Sequence, residues 1–242
     1  MNSYTSDQQH RIRGSSEIPL TEEGLQKTHE LGQQLARKGG FDQIMSSSLG
    51  RTVQTAQILS KYTHAPITHV GDELHPWHLG ELEGQPVDKV IDFQNDLIKN
   101  HPEFKIPGRG PLSTRDGESF DDFRMRAMPF IDQQFREHIA DPSKRIALIT
   151  HYRDKKLVDA WIRRGAEPSF EVDPNEMTTY SSDPPGSIDR LHWDRNLGAQ
   201  VSPVDVKSPT LLQGGVYLIR HGQTAWNESL QNEPTKGGQS GS

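Results

Sequence analysis

The chain has 242 residues, of which 31% are hydrophobic and 25% are charged, and its formal net charge is −6. That length suits one large α/β domain or two small ones. The negative charge and the lack of a long lysine or arginine run argue against nucleic acid as a partner. With no cysteine, disulfides, thiolate catalysis and cysteine-based zinc sites are excluded. No apolar segment is long enough to cross a membrane and the N-terminus is polar, so we expect a cytoplasmic protein with no membrane partner.

The first half of the chain alternates helix and strand patterns. A helix is predicted to begin at Thr21, whose side chain can cap it, and to end at a Gly-Gly pair. A strand at 41–46, a second helix that begins near Ser47, and a strand at 67–70 are predicted to follow. The Gly- and Pro-rich region 85–116 carries one predicted helix and is expected to be an inserted loop region over the site.

Helix and strand patterns continue to alternate through the second half of the chain. The predicted elements are helices at 119–139 and 155–164, strands at 146–150, 187–193 and 216–219, and irregular segments at 165–186 and 196–213. This alternation predicts a three-layer α/β/α sandwich with a largely parallel central sheet. We expect a single domain over 1–242, with flexible segments at 1–10 and 228–242.

Two of the predicted buried strands end in a histidine. One apolar run finishes in Thr150-His151, and the other finishes in Arg220-His221. In open α/β sheets, ligands bind at the carboxyl ends of the strands. Either histidine alone is explained equally well as a polar strand end, but the two together, with an arginine beside one of them, indicate a binding site.

Arg51 is a candidate anion ligand because it is predicted in the first turn of the second helix. Free backbone N–H groups and the helix dipole favour an anion there, and a guanidinium adds a bidentate donor. The alternative is an ordinary surface arginine on a capped helix, which would explain Arg51 if it stood alone.

Five motifs, taken together, resemble one protein family. They are Arg220-His221-Gly222, Arg51 followed by Thr-x-Gln-Thr-Ala, Arg13-Gly14 before Ile18-Pro19-Leu20-Thr21, Gly117-Glu118-Ser119, and Thr150-His151. The family is the histidine phosphatase (phosphoglycerate-mutase-like) superfamily, and the resemblance covers nearly the whole chain.

The resemblance implies an enzyme that acts on a small phosphorylated substrate through a phosphohistidine on His221. The other residues it implies are Arg220, Arg51 and His151 around the phosphoryl oxygens, and Asn227, Thr224 and Gly14 as further substrate-binding residues. It implies no metal ion and no other cofactor. The four histidines between 64 and 78 do not change this expectation, because they lack a matching set of metal ligands.

The order of the motifs is rotated relative to the family. The Arg-His-Gly strand comes first in family members, whereas here it comes last, with cyclic order kept. This indicates a circular permutation, with the original termini near 213–215 and the new ones in the loop between Asn227 and Arg13. The linker-like composition of 237–242 favours an engineered rearrangement over a natural one. If segment 216–227 leaves its own sheet, it could form a domain-swapped homo-oligomer.

Pro76 stands where family members commonly carry a glutamate that protonates the leaving group. Proline cannot donate a proton, so the donor must be another residue, such as Glu81 or Asp154, or the enzyme must favour good leaving groups. Either carboxylate alone is better explained as a surface residue. The acid therefore stays unassigned.

Three functions are compatible with these motifs. A phosphomonoester phosphatase is favoured. A phosphate-binding protein with little or no turnover is the alternative that Pro76 supports. A phosphoglycerate-type mutase is disfavoured, because mutases carry Glu and Tyr where this chain has Pro76 and Leu79.

Overall fold

The computed structural model describes residues 11–110, 113, 115–179 and 183–224. The expected flexible segments 1–10 and 228–242, and the candidate residue Asn227, lie outside this part of the chain. Within it the helices are α1 (Glu22–Arg37), α2 (Gly50–Thr63), α3 (Val87–Asn100), α4 (Phe120–Ala140), α5 (Tyr152–Arg163) and α6 (Pro174–Thr178). The strands are β1 (Gln43–Ser47), β2 (Ile67–Gly71), β3 (Arg145–Thr150), β4 (Ile188–Asp194), β5 (Gly198–Pro203) and β6 (Gly215–Arg220).

The predicted α/β architecture with a mostly parallel sheet is confirmed. The six strands lie in the order β2-β1-β3-β6-β4-β5, and the first four of these are parallel to one another. β4 runs antiparallel to β6, and β5 runs antiparallel to β4. β6, the last strand among the described residues, therefore lies inside the sheet, between β3 and β4.

Helices cover both faces of the sheet, and each face has its own apolar core. Residues of α1 and α2, such as Leu35 and Leu59, pack with Tyr217 of β6 on one face. On the other face α4 and α5 contribute Phe123 and Trp161 to a larger cluster. Strands β3 and β6 are buried on both faces because they lie between these two cores.

Two predictions for the second half of the chain are wrong. Segment 196–213, predicted as irregular, contains β5, whereas the segment 165–186, predicted to be rich in loops, contains only the short helix α6 among its described residues. β5 was missed because it is a half-exposed edge strand without an alternating apolar pattern. It forms through a tight turn in which the Asp194 side chain accepts from the backbone N–H groups of Asn196 and Leu197. Helix α5 begins at Tyr152, three residues earlier than predicted, directly after His151.

Two helix starts are capped by side chains, and the sequence predicts the first of them. The Thr21 side chain accepts from the N–H of Gly24 at the start of α1. At the start of α4, Ser119 and Asp122 form a capping box. Among the described residues, no helix is both long and apolar enough to cross a membrane.

Candidate active site

The pairing of β3 with β6 brings the two candidate histidines together. Thr150 lies beside Arg220 in the parallel register, so the next residues, His151 and His221, leave neighbouring strands at the same edge. The N–H of His221 donates to the carbonyl of Thr150 over 3.1 Å. The two imidazole rings are buried and meet edge to face, with their centroids 5.1 Å apart.

Arg51 contacts both histidines. It is the second residue of α2 and only 2% exposed. Its Nε lies 3.3 Å from Nε2 of His221, and its Nη2 lies 3.4 Å from Nδ1 of His151. The same guanidinium donates to the carbonyls of Ser16, at 2.7 Å, and Gly14, at 3.3 Å. These two carbonyls fix the plane of the guanidinium, so Arg51 is oriented before any ligand binds.

The hydrogen bonds define the form of His221 that suits nucleophilic attack. Nδ1 of His221 lies 2.7 Å from the carbonyl of Gly222, where it can donate a proton. Nε2 faces the Nε–H of Arg51 and therefore carries the lone pair in this arrangement. On His151, Nε2 lies 3.0 Å from the hydroxyl of Ser47, which orients this second ring.

Burial disfavours the charged form of both imidazoles. It is the largest cause that lowers the pKa of His221 below its ordinary value, followed by the charges of Arg51 and Arg220. The pKa of His151 is lowered by burial and then by Arg51. A neutral imidazole is nucleophilic, whereas an imidazolium is not.

Two more arginines complete a cationic cluster. Burial, and then the charges of Arg220 and Arg51, lower the pKa of Arg13 to about 9. The Arg220 guanidinium lies over the ring of Tyr152, 5.7 Å from its centroid, and donates to the backbone carbonyl of Asp183. Like charges held this close create a strong site for a polyanion such as a phosphoryl group.

A cavity of about 240 Å³ opens onto these groups. Its charged and polar lining residues are Arg11, Arg13, Arg51, Gln94, His151, Tyr152, Arg153, Asp183, Arg220 and His221. Gly14 and the apolar side chains of Ile12, Pro76, Trp77, Leu79 and Val87 complete the described lining. Two of these residues, Val87 and Gln94, come from the region predicted to be inserted over the site.

Gly14 occupies a position that only glycine tolerates. Its φ is +48°, and a Cβ placed there would lie 2.1 Å from Oε1 of Glu83. The Glu83 carboxylate accepts from the backbone N–H of Ser15 and from the hydroxyls of Ser15 and Ser16. It also accepts from the N–H of Leu79. Glu83 thus holds the loop whose carbonyls orient Arg51.

Three other predicted residues lie away from the cavity lining. Thr224 is fully buried and pairs with Leu20 at the start of α1. Glu81 is exposed, and Asp154 is fully buried in the first turn of α5. Asp183 is the one carboxylic acid among the described residues that line the cavity, and its Oδ1 accepts from Lys155 at 2.7 Å.

Sequence reasoning missed several cavity residues. Trp77, Gln94, Arg153 and Asp183 were not predicted, because none of them belongs to a motif and each is brought in by a different part of the fold. Arg153 had one local signal, since it follows the second histidine by two residues. Among the described residues, no group of three or more His, Asp or Glu side chains is arranged to hold a metal ion.

Comparison with known proteins gives one family and one fold. The curated relatives include probable phosphoglycerate mutase GpmB of Yersinia pestis (strain Pestoides F), which is 41% identical over 123 residues. That match covers 50% of this chain and 54% of the relative, so the chain spans about half the length of the curated relatives it matches.

Solved structures share the fold over most of the chain. The alpha-ribazole phosphatase from Shigella flexneri matches with a TM-score of 0.58 and 18% identity, over 84% of this chain and 90% of that one. A mycobacterial glucosyl-3-phosphoglycerate phosphatase matches with a TM-score of 0.57 and 17% identity, over 80% and 89%. The sequence model of the histidine phosphatase superfamily (branch 1) matches residues 4–196. The chain therefore belongs to the histidine phosphatase superfamily.

Proposed function

We propose that the protein is a metal-independent phosphomonoester phosphatase that works through a phosphohistidine on His221. The observation that carries the proposal is the position of His221, which lines the cavity with its Nε2 3.3 Å from Nε of Arg51. The family supports phosphoryl chemistry, and the solved neighbours include two proteins named as phosphatases.

The chemistry proceeds in two displacements at phosphorus. The Nε2 lone pair of His221 forms the N–P bond while the ester P–O bond breaks, and the alkoxide or aryloxide leaves with the bonding electrons and takes a proton from solvent. Water then attacks phosphorus and gives a proton to solvent, the electrons of the N–P bond return to Nε2, and inorganic phosphate leaves. Arg51, Arg13 and Arg220 stabilise the negative charge on the equatorial oxygens in both steps.

The residues that line the cavity favour substrates whose leaving group departs without being protonated. Pro76 lines the cavity and has no proton to give, and Glu81 and Asp154 lie outside the described lining. Asp183 lines the cavity, but its carboxylate is paired with Lys155 at 2.7 Å, which favours the ionised form. We propose that esters with stable leaving groups, such as aryl phosphates, are hydrolysed faster than alkyl phosphates. Asn227, Thr224 and Gly14 remain proposed substrate-binding residues, and of these Gly14 lines the cavity.

The test is hydrolysis of p-nitrophenyl phosphate in the presence of EDTA. Wild-type protein is expected to release p-nitrophenol, and His221→Ala is expected to abolish release. His101→Ala, an exposed histidine at the end of α3, is the matched control and should retain activity. Activity that persists in His221→Ala, or that EDTA removes, contradicts the proposal.

A phosphate-binding protein with little turnover is the second candidate, and the proline at position 76 is the observation that favours it. It predicts acid-labile phosphorylation of His221 without release of phosphate, which radiolabelling would detect. A mutase predicts instead that phosphoryl exchange between substrate positions exceeds hydrolysis.

We also infer that the chain is a circular permutant of the family. The contacts after β6 support this, because the N–H of Thr21 donates to the carbonyl of Gln223 over 3.1 Å, and Leu20 pairs with Thr224. The segment after the Arg-His-Gly strand thus lies against the start of α1, as rotated motif order requires. A variant that begins at Gly214, with the present termini joined, should keep the circular dichroism spectrum and activity. Loss of both contradicts the inference.

A domain-swapped homo-oligomer remains a proposal for the same segment. β6 pairs with β3 on one side and β4 on the other, so the same pairs could form between two molecules. Light scattering after size exclusion at millimolar concentration would show a dimer, and a monomer throughout would contradict it.

A further inference from the structure

Lys155 is a buried cation that joins three parts of the fold. It is the fourth residue of α5, and its side chain is only 3% exposed. Its Nζ donates to Oδ1 of Asp183 and to Oγ of Ser187, both over 2.7 Å, and lies 3.1 Å from Oδ2 of Asp189. One side chain therefore ties α5 to the start of β4 and to the loop 183–187 that precedes it.

This loop holds both the guanidinium and the backbone of Arg220. The carbonyl of Asp183 accepts from the guanidinium. The N–H of Gly186 donates to two carbonyls, that of Arg220 at 3.1 Å and that of His221 at 3.3 Å. The N–H of Arg220 in turn donates to the carbonyl of Ser187 over 3.0 Å. The proposed nucleophile and a proposed phosphate ligand are thus supported by the same loop.

Asp183 is the link between Lys155 and Arg220. Its carboxylate accepts from Lys155 and from the hydroxyl of Ser187, while its backbone carbonyl accepts from Arg220. A carboxylate that is held at two points restricts the backbone of its own residue, so the carbonyl keeps its position. A ligand-binding side chain is precise only when the groups behind it are fixed in this way.

Lys155 also separates two carboxylates. Burial is the largest cause that raises the pKa of Asp189, and Lys155 opposes that shift, to which the charge of Asp183 adds. Without the lysine, the two carboxylates would repel each other in a largely buried space. The repulsion would displace Asp183, and with it the carbonyl that accepts from Arg220.

We propose that Lys155 is a positioning residue for the phosphate site: it holds Asp183 so that the loop keeps Arg220 directed at the phosphoryl group. This inference rests on the proposed function, because it assigns Arg220 to the phosphoryl oxygens. Lys155 lies outside the described lining of the cavity, so it acts through Asp183 and Arg220 and not by contact with the substrate.

A double-mutant cycle tests the inference, with calorimetric binding of inorganic phosphate as the readout. The four proteins are wild type, Lys155→Met, Arg220→Met and the double variant. In the wild-type background, Lys155→Met is expected to weaken phosphate binding by about 10- to 100-fold, the range for a residue that orients a ligand-binding group. In the Arg220→Met background the same change should cost less than about twofold, because the two residues act as one unit.

A matched pair of variants gives a second test that leaves Lys155 in place. Asp183→Ala and Asp189→Ala each remove one carboxylate from the same lysine, with the same change of charge. Only Asp183 contributes the carbonyl that accepts from Arg220. We expect phosphate binding to weaken by about 10-fold or more in Asp183→Ala and by less than threefold in Asp189→Ala. Loss of a negative charge beside the cavity would by itself strengthen anion binding, so the expected decrease reports loss of positioning.

Three outcomes overturn the inference. The first is a loss of affinity on Lys155→Met that is the same in both backgrounds, as a purely structural or purely electrostatic role predicts. The second is an equal effect of Asp183→Ala and Asp189→Ala, which decides the question if Lys155→Met fails to fold. The third is phosphate binding that does not depend on Arg220.

The proposed function is tested separately. Binding of inorganic phosphate requires no turnover, whereas hydrolysis of p-nitrophenyl phosphate by the wild-type protein does not depend on any result of the cycle. The positioning role of Lys155 can therefore fail while the phosphatase holds, and the reverse.

Discussion

The Nε of Arg51 lies 3.3 Å from Nε2 of His221, so the proposed nucleophile and the proposed phosphate-binding cation are in contact before a substrate arrives. Two backbone carbonyls hold the guanidinium at this angle. Such preorganisation avoids the cost of reorienting the donor during the reaction.

Replacing the guanidinium tests this relationship. Arg51→Lys keeps the charge but cannot contact both histidines and both carbonyls with one planar group. We expect kcat/KM for p-nitrophenyl phosphate to fall by about 100-fold or more, the cost of losing one preorganised donor. Arg37→Lys, on the last turn of α1, is the control. A decrease of less than threefold would show that charge alone suffices.

The pH dependence of kcat/KM reports the lowered pKa of His221 in the ligand-free protein. Imidazolium cannot attack phosphorus, and burial lowers the pKa of His221 below its ordinary value. His221 should therefore stay neutral just below pH 6.5, and kcat/KM for p-nitrophenyl phosphate should hold on acidification through that value. An acid limb of kcat/KM centred near 6.5 would contradict the burial argument.

Asp154 couples stability to pH in the opposite sense from a salt-bridged carboxylate. Burial raises its pKa to about 8 in the folded protein, against an ordinary value of 3.8. Between these two pKa values the folded state binds more protons than the unfolded state. The contribution of Asp154 to the free energy of unfolding therefore falls as pH rises from about 4 to about 8. Asp154→Asn removes that titration.

The measurement is urea unfolding of wild type and Asp154→Asn at pH 5, 6.5 and 8. Relative to wild type, the variant is expected to gain up to about 1.4 kcal/mol in free energy of unfolding per pH unit. Asp159→Asn, a partly exposed residue of the same helix, should show no comparable trend. A constant difference between Asp154→Asn and wild type would mean that the carboxyl is ionised in the folded state.

Pro76→Glu should supply the missing proton donor. Position 76 lines the cavity, so a carboxylic acid there can reach a leaving oxygen. We expect hydrolysis of glycerol 2-phosphate, whose leaving group is poor, to rise by about 100-fold, the lower end of the range for general acid catalysis, with a smaller effect on p-nitrophenyl phosphate. Pro76→Gln places a side chain of the same shape as glutamate there, but without an acidic proton. Hydrolysis of glycerol 2-phosphate by this variant should not rise. Equal rates for the two variants would exclude proton donation from this position.

The sequence predicted the paired histidines because parallel strands place their carboxyl ends at one edge of a sheet. His151 and His221 are 70 positions apart, but each follows an apolar run, and that local pattern sufficed. Arg51 was found for a similar reason, since a helix start after a strand is a local signal.

Contacts between residues far apart in the chain left no local pattern in the sequence. Gln94 and Arg153 meet across α3 and α5, and nothing near Gln94 in the sequence marks it as buried and polar. Likewise β5 depends on a tight turn and on pairing with β4 rather than on its own apolar pattern. The structure supplied these features because they depend on how distant elements pack.

The position of β6 has a consequence for synthesis on the ribosome. Both of its neighbours, β3 and β4, are made first, so their inner edges stay unpaired until the last strand emerges. At typical translation rates, the edge of β3 stays unpaired for about several seconds before β6 has been synthesised. Exposed edges of this kind recruit other strands. Yield in a cell should therefore depend on chaperones and temperature more steeply than the stability of the finished protein would suggest.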